Sequence, residues 1–428
     1  MMTVNITLET TTGLGGFVGD AAARPATWRS LLADTEYRAL WSAQVISIVG
    51  DQLARVALAV LVYDQTDSAL LTAMVYAITY LPAIVGGPLL GGLADRLPRR
   101  SVMLTCDLLA AGLVVLMAVP GMPIGMLCVL LFVVILLDSP FTAARSSLIA
   151  DVLPDDRYVL ASALGNVSYQ AGLVAGFAVG GTLVTVLGTR EALLIDAATF
   201  LVSALIVRLG VRRRPAASSA DEEGISGWWS RVAAGSRLVF GDSRLRRLVL
   251  LAWLAAFYIV PEGLAAPYAD ELGGHATAVG LLLAAQPAGV VIGGLILSRL
   301  IRPARRLTLM VPLAALSCGP LLLCALRPPL SVVLGLLVVA GMGASYQLAA
   351  NAAFVQAVPA GWRGQAFGLA TSGLIAGQGL SVVIAGAIAD LVPPSAVIAG
   401  AGALGLVAVA AVSGLGRRLV ASPSPAVR

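Results

Sequence analysis

The sequence contains no lysine, and all 28 of its basic residues are arginine. A nucleotide-binding P-loop needs a lysine on the phosphates, and an enzyme that works through a Schiff base needs a lysine amine. The absence of lysine therefore excludes ATP hydrolysis at a Walker-type site and Schiff-base catalysis. We expect that the protein is not an enzyme.

Histidine and cysteine are scarce as well. His275 is the single histidine, so no group of histidines can hold a metal ion. The four cysteines lie inside apolar runs and form no Cys-x-x-Cys pair, which argues against zinc binding and redox chemistry. We predict that they are small buried apolar side chains, and we expect neither a cofactor nor a bound metal.

Charged residues make up only 12% of the chain, while hydrophobic residues make up 58% and the mean hydropathy is +0.91. Soluble proteins carry about 25% charged residues. Runs of roughly 20 apolar residues, which are long enough to cross a bilayer as a helix, recur from Leu40 to Leu415. The composition therefore predicts an all-α membrane protein.

Twelve apolar runs have the length and composition of membrane spans. They are Leu40–Val62, Ala69–Leu90, Val102–Val119, Ile124–Phe141, Val159–Val184, Ala192–Leu209, Leu248–Tyr268, Ala278–Leu297, Leu307–Leu323, Leu330–Tyr346, Gly364–Ala389 and Ala396–Leu415. The prediction is about twelve transmembrane helices in two pseudo-symmetric six-helix bundles.

The placement of the arginines predicts the orientation. If the N-terminus is cytoplasmic, the loops on the opposite side of the membrane hold only Arg190 and Arg327, and the other loops hold many arginines. This bias is the positive-inside pattern. We predict a multi-pass protein of the cell membrane with both termini in the cytoplasm. Its arginines would then contact lipid headgroups and not nucleic acid, and we expect a monomer.

The two halves of the chain resemble each other at an offset of about 205 residues. Gly172 and Gly181 match Gly377 and Gly386 at this offset. Such repeated halves, which rock around a site at the membrane midplane, are typical of transporters. The predicted organisation is a cytoplasmic tail (1–36), an N-terminal bundle (37–210), a cytoplasmic linker (211–246), a C-terminal bundle (247–416) and a second cytoplasmic tail (417–428).

Asp51, Arg55 and Glu262 are predicted to lie at membrane depth. Asp51 lies eleven residues beyond Leu40, about 16 Å along a helix, and Arg55 follows one turn later on the same face. A charge near the bilayer centre costs about 2.5–3.5 kcal/mol, so each needs a reason. Asp51 is our first candidate for proton coupling, with Arg55 as its partner. A buried structural ion pair is the open alternative.

Glu262 occupies the position in the second half that Asp51 has in the first, and it is the second candidate for proton coupling. Pro261 beside it removes a backbone donor and is predicted to kink the helix. Asn166, Gln170 and Gln378 are candidates for lining a cavity, although bridging between helices would explain the same polar residues.

Other charges are assigned structural roles. Asp138 and Arg145 lie two turns apart on one face of the fourth span. Because Arg145 is near the cytoplasmic end, we expect it to be tied to Asp95 or Asp107 and not to contact substrate. Asp107 and Asp196 are expected close to helix ends.

The loop after the second span carries the sequence Gly91-Gly-Leu-Ala-Asp95-Arg96-Leu-Pro98-Arg99-Arg100. It resembles the signature loop of the major facilitator superfamily, with Pro98 in place of the usual glycine. The resemblance implies that Asp95 interacts with the positive N-terminus of helix eleven, near Gly364, and that the loop is a conformational gate. The gate residues would be Gly91, Asp95, Arg96, Arg99, Arg100 and Arg145.

Helix five contains Gly172-x-x-x-Gly176-Phe177-x-x-Gly180-Gly181. This sequence resembles the antiporter motif of drug exporters, with Phe177 in place of a proline, although small residues at this spacing also let helices pack closely. The start of the first span, Tyr37-Arg38-x-Leu40-Trp41-x-x-Gln44 followed by Gly50-Asp51, resembles the drug:proton antiporter branch of the superfamily, of the macrolide-efflux and enterobactin-exporter type.

The leading hypothesis is a secondary active transporter that exports amphipathic small molecules in exchange for protons by alternating access. A second hypothesis is an exporter of a siderophore or a self-made metabolite. A membrane-embedded transferase would need paired acids or histidines near the surface, and we find none in the sequence. A receptor that transports nothing is formally open, but the duplicated halves argue against it.

Overall fold

A computed structural model of the chain describes residues 28–82, 97–153, 156–214, 236–237, 239–359 and 362–420. Within these ranges the regular structure is helical, with α-helices and one 3-10 segment. The prediction of an all-α membrane protein is confirmed. Helices are numbered below by the predicted span to which they correspond.

The first half begins with a short helix, Trp28–Ala33, and continues with six longer ones. These are α1 (Thr35–Thr66), α2 (Ala69–Ile78), α3 (Arg99–Met117), α4 (Ile124–Val152), α5 (Asp156–Leu187) and α6 (Thr189–Gly210). The second part of the span predicted as Ala69–Leu90 falls mostly outside the described residues.

The second half contains three interrupted helices. Its elements are α7 (Ser243–Trp253, Ala255–Tyr258, Val260–Gly263 and Ala265–Glu271), α8 (Ala276–Arg299), a short helix Pro303–Arg306, α9 (Met310–Cys318 with the 3-10 segment Gly319–Leu326), α10 (Leu330–Ala344 and Tyr346–Ala357), α11 (Arg363–Ala389) and α12 (Pro394–Val420).

In the described part of the chain, nine helices are long and apolar enough to cross a membrane, or ten if the bent helix α7 is one span. Ala69–Ile78 and Met310–Leu326 are shorter apolar helices. Each predicted span overlaps one of these elements. Large apolar side chains such as Leu209, Leu391 and Val407 are exposed, as expected for a surface that faces lipid.

Helix α7 bends by 51° between Ser243–Gly263 and Ala265–Glu271. The kink was predicted at Pro261, but the bend follows three residues later, at Leu264. A proline ring clashes with the carbonyl four residues earlier and removes one backbone hydrogen bond. Pro267 stands four residues after Gly263, so Pro267 explains the position of the bend better than Pro261 does.

The two halves meet along two helix pairs, α5 with α8 and α2 with α11. One end of the bundle contains the C-terminal ends of α1, α5, α7 and α11. It is called here the arginine-poor end, since Arg190 and Arg327 are its described arginines. The other is called the arginine-rich end. A buried apolar core runs through both halves.

Candidate functional site

A cavity of about 340 Å³, called here the central cavity, lies among α1, α3, α4, α5 and α6 and is lined by residues of the first half. Its ionisable lining residues are four aspartates and two arginines: Asp51, Asp107, Asp138, Asp196, Arg55 and Arg145. Apolar side chains, among them Leu131, Val134 and Phe141, form much of the remaining wall. If all six groups are ionised, the cavity carries a net negative charge within an apolar surrounding.

Asp51 and Arg55 both line this cavity from α1 and are partly buried. Gly50 packs against Asp196 and Thr199 of α6, where an added Cβ would lie 2.5 Å from the Asp196 Oδ1. The close approach of α1 and α6 therefore places Asp51 in the electrostatic field of Asp196, while Arg55 supplies an opposing charge. Among the described residues, no ion pair within 4.0 Å joins Asp51 to Arg55.

The structure corrects the placement of Asp107 and Asp196. Asp107 lies near the middle of α3 and Asp196 lies two turns into α6, so neither is at a helix end. Both side chains are buried and both line the cavity. Ser203 donates a 2.8 Å hydrogen bond to Asp107 Oδ2, which ties α6 to α3. These two acids were missed as site residues in the sequence.

Asp138 and Arg145 line the cavity from α4, as their shared face predicts. Thr142, one turn after Asp138, donates a 3.2 Å hydrogen bond to its carboxylate. Asp138 is the carboxylate whose charge acts on Arg145, and Asp107 is bonded instead to Ser203. The expected tie between Arg145 and Asp107 is therefore not what the structure shows, and Asp95 lies outside the described residues.

Glu262 lies at the boundary between the halves. Tyr76 of α2 donates a hydrogen bond from its hydroxyl to the Glu262 carboxylate on α7. A small cavity of about 20 Å³ beside them is lined by Arg55, Tyr76 and Glu262. Arg55 thus lines both this cavity and the larger one, and its charge acts on Glu262 as well as on Asp51. The two acidic candidates for proton coupling thus lie on cavities that share the third candidate, Arg55.

The four glycines of the helix-five motif are sites of close helix packing. An added Cβ at Gly172 would lie 2.7 Å from Ile48 Cγ2, and one at Gly176 would lie 2.8 Å from Gln52 Cβ. Gly180 packs in the same way against the backbone of α1, at Leu53. This packing holds α5 against the face of α1 that carries the Asp51 turn.

Gly181, the last of the four, faces the other half. An added Cβ would lie 2.7 Å from the carbonyl oxygen of Ala276 and 2.9 Å from the Cα of Gly280, both on α8. In the second half, Gly386 of α11 packs against α2 at Ala69 and Leu70. The two glycines matched in the sequence repeat therefore occupy equivalent crossings between the halves.

The remaining polar candidates lie in different places. Asn166 lines a further pocket of about 380 Å³, which shares Gln44, Arg145 and Tyr169 with the central cavity and extends towards the arginine-rich end. Gln170 and Gln378 line none of the pockets described here and are partly buried. Gln44, Gln52 and Tyr169, which line the central cavity, were not among the cavity candidates named from the sequence.

At the arginine-poor end the halves are joined by hydrogen bonds. The Asp390 carboxylate, just after α11, accepts from the backbone N–H of Ala69 at 2.7 Å. The hydroxyls of Thr185 and Thr277 lie 2.8 Å apart between α5 and α8. Tyr63 of α1 donates to Asp270 Oδ2 of α7 at 3.4 Å. Both helix pairs at which the halves meet are therefore hydrogen-bonded at this end.

The sequence matches the family model described as Major Facilitator Superfamily over residues 40–262 and 248–426. The chain belongs to the major facilitator superfamily. The resemblance found in the loop after the second span is thereby confirmed, and so are the fold of two six-helix bundles and the expectation of a transporter and not an enzyme.

Several transporters of the superfamily are similar to this chain. Macrolide efflux protein A of Streptococcus pyogenes is 21% identical over 364 residues, which cover 83% of this chain and 89% of that protein. The multidrug efflux pump Tap of Mycolicibacterium fortuitum is 26% identical over 360 residues, covering 80% and 86%. The uncharacterized MFS-type transporter YkuC of Bacillus subtilis is 27% identical over 175 residues, and this match covers 40% of each protein.

Solved structures of transporters have the same fold. A POT family transporter in complex with 5-aminolevulinic acid superposes with a TM-score of 0.70 at 13% sequence identity, covering 89% of this chain and 96% of that one. The all-helical architecture of this superfamily member is therefore that of known transporters.

In the signature loop, Gly91, Asp95 and Arg96 lie outside the described residues. Arg99 and Arg100 lie at the start of α3 and make contacts within the first half. Arg99 forms an ion pair with Asp151 near the end of α4, and Arg100 donates to the backbone carbonyl of Arg208 near the end of α6. These contacts join three helices at the arginine-rich end.

The start of the linker is also held by an acid of the first half. The Glu36 carboxylate accepts from the backbone N–H of Arg212 at 3.1 Å and from the guanidinium of Arg214 at 3.0 Å. This hydrogen bonding raises the pKa of Arg214 above its ordinary value. The chain is therefore fixed to α1 as it leaves α6.

Proposed function

We propose that this protein is a proton-driven exporter of amphipathic, cationic small molecules that works by alternating access. The observation that carries the proposal is the central cavity, in which four aspartates and two arginines stand among apolar walls. A buried, uncompensated negative charge attracts a cation strongly because the effective dielectric constant is low. The apolar wall suits the apolar part of such a molecule.

Protons and a cationic substrate would compete for the same carboxylates. A proton bound at Asp51 or Glu262 removes the negative charge that holds the substrate, and deprotonation restores it. If the two ligands are bound from opposite sides of the membrane, this competition couples their movements. Arg55, which lines both cavities, would sense the charge of either acid.

Alternating access requires that the bundles close one end of the cavity at a time. The contacts at the arginine-poor end, at Asp390 and at Thr185, support a form closed at that end. The arginine distribution supports a cytoplasmic arginine-rich end, with both termini in the cytoplasm. We propose that this form faces the cytoplasm and that residues 211–246 link the bundles on that side.

The names of the relatives support export as the direction, because one is a macrolide efflux protein and another is a multidrug efflux pump. The cavity lies within a single chain, which supports action as a monomer. Lipid headgroups would contact the arginines at the cytoplasmic surface.

The test is transport by purified protein in liposomes with an imposed pH gradient and a panel of cationic and neutral dyes. We expect gradient-driven movement of cationic dyes. The Asp51→Asn variant should lose this movement while much of the dye binding is retained. Asp67→Asn is the matched control, since Asp67 is an exposed residue in the loop after α1 with a left-handed backbone that asparagine also adopts.

Normal pumping by Asp51→Asn would show that Asp51 is structural, and the same assay on Glu262→Gln would then test the second acid. Movement of cationic dyes that is indifferent to the pH gradient would contradict proton coupling altogether.

A further inference from the structure

The Asp390 carboxylate holds the first turn of a helix that belongs to the other half. It accepts hydrogen bonds from the backbone N–H groups of Ala69 at 2.7 Å and Leu70 at 3.3 Å. The first four N–H groups of a helix have no partner within the helix, and its N-terminus carries a partial positive charge. A carboxylate from α11 thus supplies hydrogen bonds that α2 cannot make for itself.

Ser68 completes the arrangement. Its Oγ donates to Asp390 Oδ2 at 3.1 Å and accepts from the backbone N–H of Leu71 at 3.2 Å, which makes it the N-cap of α2. Three consecutive N–H groups of α2, at positions 69 to 71, are satisfied in this way. Two of the three depend on the opposite half.

The position of Asp390 is set by a close helix crossing. Gly386, one turn earlier on α11, packs so tightly on α2 that an added Cβ would lie 3.0 Å from the Ala69 carbonyl oxygen and 3.1 Å from the Leu70 Cα. If α2 and α11 separate at the arginine-poor end, Asp390 must leave these N–H groups. The contact therefore exists only while that end is closed.

We propose that Asp390 is a latch that holds the arginine-poor end of the transporter closed through the N-terminus of α2. This inference rests on the proposed alternating access, and it goes further by naming the contact that must break before that end opens. Loss of the latch shifts the equilibrium between closed and open forms at this end towards the open form, by about fivefold if it acts like a typical helix cap.

The chain contains a matched control at the same end. Glu271, at the end of α7, accepts from the backbone N–H of Ser395 at 2.8 Å and so caps the first turn of α12. Both partners belong to the second half and move together. Removal of Glu271 therefore weakens a helix cap of the same chemistry, together with its ion pair to Arg327 in the same half, without changing the contact between the halves.

The test uses the contact between Thr185 and Thr277, which lies at the same end but on the other helix pair. In the Thr185→Cys/Thr277→Cys protein, the rate of disulfide formation with copper phenanthroline in liposomes measures how much of the protein is closed at this end. Adding Asp390→Ala should slow cross-linking about fivefold. Adding Glu271→Ala should leave the rate within about twofold of the parent.

Unchanged cross-linking in the Asp390→Ala protein would overturn the latch, and so would equal slowing by Asp390→Ala and Glu271→Ala. If Asp390→Ala fails to fold, Ser68→Ala removes one of the contacts to Asp390, and the same comparison with Glu271→Ala applies. The assay needs neither substrate nor a pH gradient. If cross-linking contradicts the latch, the dye-transport test of proton coupling is unaffected. If dye transport contradicts proton coupling, the cross-linking result can still be interpreted.

Discussion

Tyr76 on α2 donates its hydroxyl hydrogen to the carboxylate of Glu262 on α7, across the boundary between the two halves of the transporter. Pro261 and Gly263 on either side of Glu262 are buried, and Gly263 packs against Val382 of α11. The carboxylate therefore bonds to the first half from a segment of α7 that also packs on α11. A change of charge at this place acts on both halves at once.

Two substitutions separate the charge of Glu262 from its hydrogen bond. Glu262→Gln keeps an acceptor for Tyr76 but removes the charge, while Tyr76→Phe removes the donor and keeps the charge. If the charge carries the coupling, Glu262→Gln should abolish gradient-driven dye transport, whereas Tyr76→Phe should only reduce it, by about 150-fold at most, since one hydrogen bond to a charged group contributes about 1.5–3 kcal/mol. Tyr63→Phe, which removes a second bond between a tyrosine and an acid across the halves, is the control.

The charge of Asp138 should select cationic substrates. Asp138 is an exposed wall residue of the central cavity, with Thr142 as its hydrogen-bond partner. We expect Asp138→Asn to raise the half-saturating concentration of a monovalent cationic dye about fivefold, equivalent to about 1 kcal/mol, and to leave a neutral dye of similar size unchanged. Equal effects on both dyes would show that Asp138 shapes the cavity and does not act by its charge.

The crossing of α5 and α8 should not tolerate a methyl group. Gly181→Ala would place a Cβ 2.9 Å from the Cα of Gly280, and such overpacking typically costs about 1–3 kcal/mol. We expect a lower midpoint in thermal unfolding of the detergent-solubilised protein. Gly112→Ala on α3 is the control, since an added Cβ there meets no atom within 4 Å. A stability equal to that of the control would mean that the helices can move apart without cost.

The Glu36 contact should protect the start of the linker from proteolysis. Glu36 holds the backbone of Arg212 and the guanidinium of Arg214, and trypsin can cleave this chain only after arginine because it has no lysine. We expect Glu36→Gln to speed cleavage of the Arg212–Arg213 bond several-fold, because local opening requires less free energy. Glu191→Gln, at an exposed acid in the first turn of α6, should cleave at the parental rate.

Much of the architecture could be predicted because lipid imposes strong constraints. Apolar runs located the helices, and the cost of a charge at membrane depth identified Asp51, Arg55 and Glu262, each of which lines a cavity. The repeat offset also carried structural information. Gly181 and Gly386, which it matched, lie at the two equivalent crossings between the halves.

The remaining features depend on contacts between helices that one sequence does not encode locally. Asp107 and Asp196 were assigned to helix ends because hydropathy does not show how far a helix extends beyond its apolar run. Their cavity position follows from the packing of α1, α3 and α6. The pairing of Tyr76 with Glu262 joins residues far apart in the chain, so neither spacing nor periodicity could indicate it.

The glycine crossing of α5 and α8 has a consequence for the energy supply of the cell. With Gly181 opposite Gly280, the two backbones touch, and no file of water molecules passes between the helices at that contact. Such a file would conduct protons through the wall of the protein and dissipate the gradient without moving any cargo. Because neither glycine has a side chain, the backbones come close enough to block this path for protons at their contact.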